Sequence, residues 1–257
     1  QYNCTALHFY YKNFINKFFS FFFFIIINFN IVIIRKERRE NSIIIIGPMG
    51  AAKVGVARNG AQRWLANQPA KHPVILIASR IVPEKGILEC AQALAAVLPK
   101  YPEWRLVIAG AKRFEAATRG SYEAQIFDAI ESLGDQAVMT GFIPINEVRK
   151  WQAKAAISAC PSLWNDPMPK AVIESLAAGC ALLTTRRGGI PEVADGRAHV
   201  IDTPTIAHFS AAFEKLLNDD AYRKSLQDAA WHDFPFTATA MANDADSIRA
   251  KCLMAPI

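Results

Sequence analysis

Short apolar runs alternate with helical patterns along most of this 257-residue chain, and this alternation constrains the fold more than any other feature. Runs of this length, without polar alternation, are typical of strands buried on both faces. They lie at 74–78, 105–109, 137–140, 155–159, 181–185 and 200–201. Helical patterns separate and follow them, at 86–98, 122–133, 147–154, 170–178, 206–217, 221–231 and 237–251. The order predicts an α/β fold, a doubly wound parallel sheet with helices on both faces.

Composition divides the chain into three parts. Residues 1–46 form an apolar and basic N-terminal segment, 47–73 form a linker with scattered Gly, Pro, Asn and Gln, and 74–257 form the α/β domain. In such a domain, ligands bind beyond the C-terminal ends of the strands. The loops expected there carry Arg80, Gly110, Gly141 and Asp166.

The N-terminal segment contains a nearly unbroken apolar run at 18–34, close to the lower length limit for a membrane-spanning helix. The basic cluster at 35–39 is denser than the front flank, Lys12 and Lys17, which predicts a signal-anchor with the rest of the chain cytoplasmic, at the cytoplasmic face of the inner membrane. An equal alternative is a non-native extension, because composition changes abruptly after this segment. A soluble apolar hairpin is a third.

The net charge and the spacing of the cysteines favour some classes of function over others. A net charge of +6 suits a phosphorylated substrate or an anionic membrane, and no basic block is interleaved with aromatics as in a nucleic-acid groove. The five cysteines are widely spaced without a CxxC pair, so buried reduced thiols are expected rather than a zinc site. The single D-x-D, at 244–246, lies in a helical pattern. No metal and no cofactor are therefore predicted.

The stretch 165–192 suits an anion. A polar Pro-rich turn leads into a helix, a short strand, and the Gly188-Gly189 turn before another helix. Helix N-termini present unpaired N–H groups, and a glycine turn lets a phosphate approach the backbone. Asp166 and Glu174, at the mouth and inside of the first helix, could accept sugar hydroxyls on either side of a diphosphate. The alternative is that Asp166 is an N-cap and Glu174 a solvated residue that pairs with Lys170.

Two cations follow the first strand of the domain. Arg80 and Lys85 bridge a strand end and a helix start. Arg80 could bind a diphosphate through two N–H groups and Lys85 as a point charge. Ordinary surface charge is the alternative for both residues, and it is favoured for Arg186 and Arg187 beside the glycine turn.

These motifs resemble a known family. Asp166-x7-Glu174, with AAG at 177–179 and GGIPE at 188–192, is similar to the E-x7-E signature of retaining family 4 glycosyltransferases. The similarity runs over about 54–236 and is to the Rossmann-like C-terminal, donor-binding half of the GT-B fold. Asp166 stands where the family usually has Glu, which shortens the side chain by one methylene.

The resemblance implies a role for each motif. RIVPEKG at 80–86 resembles the family's GRL-x-x-EKG turn, whose Arg and Lys stabilise the leaving nucleoside diphosphate. By the same resemblance, Asp166 holds the transferred sugar and Glu174 the ribose. The catalytic set is thus Arg80, Lys85, Asp166 and Glu174. The backbone that contacts the nucleobase and lines the rest of the site is that of Gly141, Phe142, Ile143, Met168, Pro169, Lys170, Gly188 and Gly189.

The implied function is hexosyl transfer from a nucleotide-diphosphate sugar to a glycan or lipid-linked acceptor, such as a lipopolysaccharide precursor, with retention and without a metal. Residues 1–46 are too few for the acceptor-binding domain that the resemblance implies. A second hypothesis is therefore a non-catalytic half-enzyme that needs a partner chain. A nucleotide-sugar epimerase is the third, since such enzymes share the fold.

Overall fold

The structure is a computed structural model that describes residues 22–27, 30–35, 59–111, 121–167 and 169–253. The chain forms two compact units, one of residues 1–58 with 241–257 and the other of residues 59–240. Residues 59–73, which composition assigns to a linker, lie in the second unit. Met168, one of the predicted site residues, lies outside the described residues.

In the first unit, the apolar run forms two antiparallel strands, β1 (Phe22–Ile27) and β2 (Asn30–Arg35). This differs from the membrane-spanning helix expected there and agrees with the hairpin alternative. The run is rich in Phe, Ile and Val, which favour strands over helices. Among the described helices, none combines the length and apolarity needed to cross a membrane.

The second unit confirms the predicted α/β fold. Its six strands are all parallel, in the order β5-β4-β3-β6-β7-β8, so the chain runs outward from β3 in one direction and then from β6 in the other. The strands are β3 (His72–Ala78), β4 (Arg105–Ala109), β5 (Ala137–Gly141), β6 (Ala155–Cys160), β7 (Ala181–Thr185) and β8 (Ala198–Ile201). This is the doubly wound order whose switch point lies between β3 and β6.

Helices cover both faces of the sheet because its central strands are apolar on both sides. Ile75 and Ile77 of β3 pack into one core cluster, and Val74 and Leu76 into another. The helices that follow the strands are α1 (Ile87–Val97), α2 (Tyr122–Ile130), α3 (Ile145–Lys154), α4 (Lys170–Ala177), α5 (Ile190–Ala194), α6 (Ile206–Asn218) and α7 (Asp220–His232). A last helix, α8 (Ala238–Leu253), begins in the second unit and belongs mostly to the first. The bounds agree with the sequence analysis to within a few residues.

The faces are shared out between the helices. One core cluster includes buried residues of α1, α2 and α6, and the others include residues of α4, α5 and α7, with Trp151 of α3 packed against them. Short 3-10 turns occur at Pro83–Lys85, Leu98–Lys100 and Glu131–Gln136. The first of these turns carries Lys85 to the C-terminal edge of the sheet.

Candidate active site

The predicted site residues lie in loops at the C-terminal ends of the parallel strands. Arg80 follows β3, Gly141 ends β5, Asp166 follows β6, and Gly188 follows β7. The two central loops flank the switch point, where a crevice forms because the strands on either side lead away from each other. The segments are tied together: the Leu163 amide donates to the Glu84 carbonyl at 3.0 Å.

Lys85 and Asp166 form an ion pair across the switch point. The Asp166 side chain is 6% exposed and that of Lys85 17%, so water screens this pair much less than a surface pair. Asp166 is not the N-cap of α4, the alternative considered for it, because Pro169 occupies that position in an extended conformation. The structure therefore brings together one member of each predicted motif.

The glycine turn after β7 packs directly on the Asp166 loop. The Gly189 amide donates to the Asp166 carbonyl at 2.9 Å, and the Gly188 amide to Asn165 Oδ1 at 3.3 Å. These amides were predicted to line the ligand site, and each already has an acceptor in the loop after β6. These two hydrogen bonds therefore hold the loop after β6 in position.

A cavity of about 330 Å³ opens at the ends of β3, β4 and β5. Arg80 lines it from the loop after β3 and Glu174 from helix α4, and Phe142 and Ile143 form part of its wall. Phe142 is 68% exposed. An open apolar wall with one cation and one carboxylate suits a ligand that has a flat base and a charged end.

Glu174 lies in the second turn of α4 and is half-buried. Burial raises the pKa of its carboxyl, and the charges of Lys170 and Arg149 and a hydrogen bond from the Gln152 side chain lower it in part. Arg149 and Gln152 were not predicted to belong to the site. They lie three residues apart on α3, a spacing that places two side chains on one helix face.

The charges of Lys85 and Glu174 both affect the thiol of Cys160, the last residue of β6. Burial raises the pKa of its thiol to about 12, while the charge of Lys85 lowers this pKa and the charge of Glu174 raises it. Both charges therefore act on the same sulfur atom at the end of the central strand. Of the four residues predicted to be catalytic, Lys85 and Asp166 form the ion pair, and Arg80 and Glu174 line one cavity.

The remaining predicted residues lie around the same edge. Gly141 ends β5, where its carbonyl accepts a 2.9 Å hydrogen bond from the Gly110 amide. Lys170 is exposed at the first position of α4. Arg186 is held by Asp195 at 3.0 Å and Asp202 at 2.6 Å, in agreement with the surface role favoured for it.

Comparisons with known proteins agree with this fold. Residues 60–232, more than half of the chain, match the family described as Glycosyl transferases group 1. The Bacillus subtilis protein YtcC, which carries the name of a glycosyltransferase, is 34% identical over 120 residues, 47% of this chain and 30% of the relative. The lipopolysaccharide 1,2-N-acetylglucosaminetransferase of Salmonella typhimurium is 31% identical over 127 residues, 48% of this chain and 33% of the relative. The matched region spans about a third of the length of these curated relatives.

Two solved structures have the same fold as the α/β unit of this chain. The C-terminal domain of a group 1 glycosyl transferase of Francisella tularensis is 26% identical, with a TM-score of 0.53 over 63% of this chain and 84% of that chain. HepE of Anabaena, solved with UDP-glucose, is 17% identical and supports the fold alone, with a TM-score of 0.59 over 70% of this chain and 49% of that chain. The chain belongs to the group 1 glycosyl transferases, and its α/β unit is similar to their C-terminal domain.

Proposed function

We propose that this chain binds the nucleotide-diphosphate sugar in a retaining, family 4 hexosyl transfer. Two observations carry the proposal: Lys85 and Asp166 pair across the switch point of the sheet, and Arg80 and Glu174 line one cavity at the same edge. Their segments lie far apart in the sequence. The stability of the sheet does not require charged side chains from both segments at the same edge.

The chemistry of the site follows from the reaction. Breaking the anomeric C–O bond transfers its electron pair to the diphosphate, which therefore gains negative charge as it leaves. Arg80, exposed in the wall of the cavity, presents a planar set of N–H donors that matches phosphate oxygens. Lys85 adds a second positive charge across the switch point. Fixed cations at this position lower the energy of the transition state, so we propose that the transfer needs no metal.

Glu174 supplies the opposite function. A carboxylate accepts hydrogen bonds and donates none, so it suits the two hydroxyls of a ribose. Phe142 and Ile143 form the apolar wall of the same cavity, where a base would lie. We propose a glycan or lipid-linked acceptor, because the net charge of +6 favours anionic partners and two relatives carry the names of a lipopolysaccharide and a colanic acid glycosyltransferase.

Calorimetric titration of the full chain with UDP, GDP and ADP tests donor binding. At least one diphosphate should bind, and Arg80→Ala should weaken that binding at least tenfold, because a charge-assisted hydrogen bond contributes about 1.5–3 kcal/mol. Arg105→Ala is the matched control: Arg105 is also exposed, but it begins β4 at the opposite edge of the sheet, where it contacts the Asp135 carbonyl. Equal losses in the two variants, or no binding by the native chain, would refute the proposal.

Transfer is a separate measurement. Incubation with the bound nucleotide's sugar conjugate and a lipid-linked acceptor should give a product with the anomeric configuration of the donor, in the presence of a chelator. Binding without transfer would support the half-enzyme hypothesis, and inversion would overturn the assignment to a retaining family.

A further inference from the structure

The geometry points to a positioning role for Asp166: its carboxylate orients the ammonium of Lys85 toward the diphosphate, in place of contacting the transferred sugar. The inference rests on the proposed function, because it concerns the same donor site. It differs from the direct contact with the sugar that the family resemblance implies for this residue.

Burial is the first observation. The Asp166 side chain is 6% exposed, and the residue as a whole is 4% exposed. One carboxylate oxygen, Oδ2, is held by Lys85 Nζ. A group with so little accessible surface has almost none to offer to a sugar hydroxyl, whereas the ammonium that it contacts is the more exposed partner of the two.

The backbone of Asp166 is fixed on both sides. Its amide donates to the Trp164 carbonyl at 2.8 Å, and its carbonyl accepts from the Gly189 amide at 2.9 Å. The Gly188 α-carbon packs so closely that an added Cβ would lie 2.2 Å from the Asp166 carbonyl oxygen. The carboxylate is therefore presented by a backbone that the loop after β7 holds in place.

Lys85 is the kind of residue that needs such a partner. Its ammonium has three N–H donors on a flexible four-carbon stem, unlike the rigid fork of Arg. Asp166 occupies one donor and leaves two for phosphate oxygens. The backbone before Lys85 is fastened to the same loop, because the Glu84 carbonyl accepts from the Leu163 amide at 3.0 Å and from Ser162 Oγ at 3.4 Å. The loop after β6 thus holds both ends of the Lys85 side chain.

The two roles predict different ligand dependence. If Asp166 contacts the sugar, Asp166→Asn weakens binding of a sugar conjugate and leaves the free diphosphate unaffected. If Asp166 acts through Lys85, the substitution weakens both ligands by the same factor. A nucleoside without phosphate should be unaffected in the second case, because Lys85 has nothing to contact.

The experiment titrates the full-length chain with UDP-glucose, UDP and uridine, and with the guanosine and adenosine series in parallel. The variants are Asp166→Asn, Lys85→Met and the double substitution. We expect Asp166→Asn to weaken UDP and UDP-glucose about tenfold each, to leave uridine unchanged, and to add less than twofold in the Lys85→Met background. Asp228→Asn is the matched control, because Asp228 pairs with Lys224 on the surface of α7.

Three outcomes overturn the inference while the proposed function stands: a loss confined to UDP-glucose, an undiminished loss in the Lys85→Met background, or a loss for uridine, which would indicate general damage to the pocket. If the native chain binds no nucleotide, the proposed function fails first and the inference with it. If Asp166→Asn does not fold, Asp166→Glu replaces it. The longer side chain displaces the ammonium, so UDP and UDP-glucose should again weaken by equal factors.

Discussion

The α-carbon of Gly188 lies against the carbonyl oxygen of Asp166, with a separation that leaves no room for a side chain. A Cβ added to Gly188 would lie 2.2 Å from that oxygen, and the residue has a φ of 56°. The glycine turn after β7 and the acidic loop after β6 thus share one close backbone contact. This contact holds the carboxylate that pairs with Lys85.

Gly188→Ala should therefore destabilise the protein and weaken nucleotide binding. Its left-handed conformation alone costs about 1–2 kcal/mol for a residue with a Cβ, and the contact with Asp166 adds to this cost. Gly196→Ala separates the two contributions, because Gly196 also has a positive φ, 78°, but nothing lies within 4 Å of its added Cβ. Urea denaturation measures both. Equal losses of unfolding free energy in the two variants would show that the close contact is unimportant.

Glu174→Gln should stabilise the protein at pH 7 while it weakens nucleotide binding. Burial raises the pKa of Glu174 in the folded state, so between its ordinary value and the raised value the folded chain binds more protons than the unfolded one. Stability then falls as pH rises through this window, and the ionised carboxylate is a net cost above it. Gln removes that cost, and it also replaces the charged two-oxygen acceptor proposed for the ribose with an amide that has one acceptor oxygen.

The melting temperatures of the native chain and Glu174→Gln should therefore differ most near pH 7 and converge below pH 4. Nucleotide affinity should fall about ten- to a hundredfold, since a hydrogen bond to a charged group is lost. Glu147→Gln is a control on the exposed face of α3, where Glu147 pairs with Lys150. A lower melting temperature for Glu174→Gln at pH 7 would contradict the assignment of burial as the main cause.

Arg63→Ala should lower the free energy of unfolding of the α/β unit and leave the donor site unchanged. Arg63 donates to the Trp231 carbonyl at 2.8 Å and to the Ala177 carbonyl at 3.2 Å, at the C-terminal ends of α7 and α4, and stacks on the Trp231 ring. Its loss leaves both carbonyls without this charged donor, so we expect a loss of about 2–4 kcal/mol by urea denaturation. Arg63→Lys should recover part of it. Unchanged stability would mean that 59–73 is a mere connection.

Lys71→Met should lower the free energy of unfolding by a similarly large amount. Lys71 directly precedes β3, at the N-terminal edge of the sheet. The buried ammonium of Lys71 donates to the carbonyls of Gln152, Ala153 and Ala178 at 3.0, 3.1 and 2.8 Å. Removing it leaves three acceptors without this donor at the ends of α3 and α4, and we expect a loss of about 3 kcal/mol or more. Lys100→Met, which breaks an exposed pair with Glu214, should cost less than about 1 kcal/mol. Equal effects in thermal unfolding would contradict this.

Much of the fold could be predicted because the pattern that specifies it is local. The strand at 105–109 and the strand at 181–185 were predicted with the bounds that the structure has, since each is a short apolar run between polar turns. Over the described part of the N-terminal apolar run, Phe and Ile form strands where a helix was expected. Length and hydropathy alone do not separate a short apolar helix from two apolar strands.

The sequence by itself determined which residues follow each strand, and therefore that Arg80, Lys85, Asp166 and Glu174 would gather at one edge of a parallel sheet. Only the tertiary structure decided what they contact there. Lys85 and Asp166 are separated by 81 positions, and the amides of Gly188 and Gly189 turned out to hold the Asp166 loop. Such pairings depend on how loops from different strands pack across the switch point. A local sequence pattern does not specify contacts between residues so far apart in the chain.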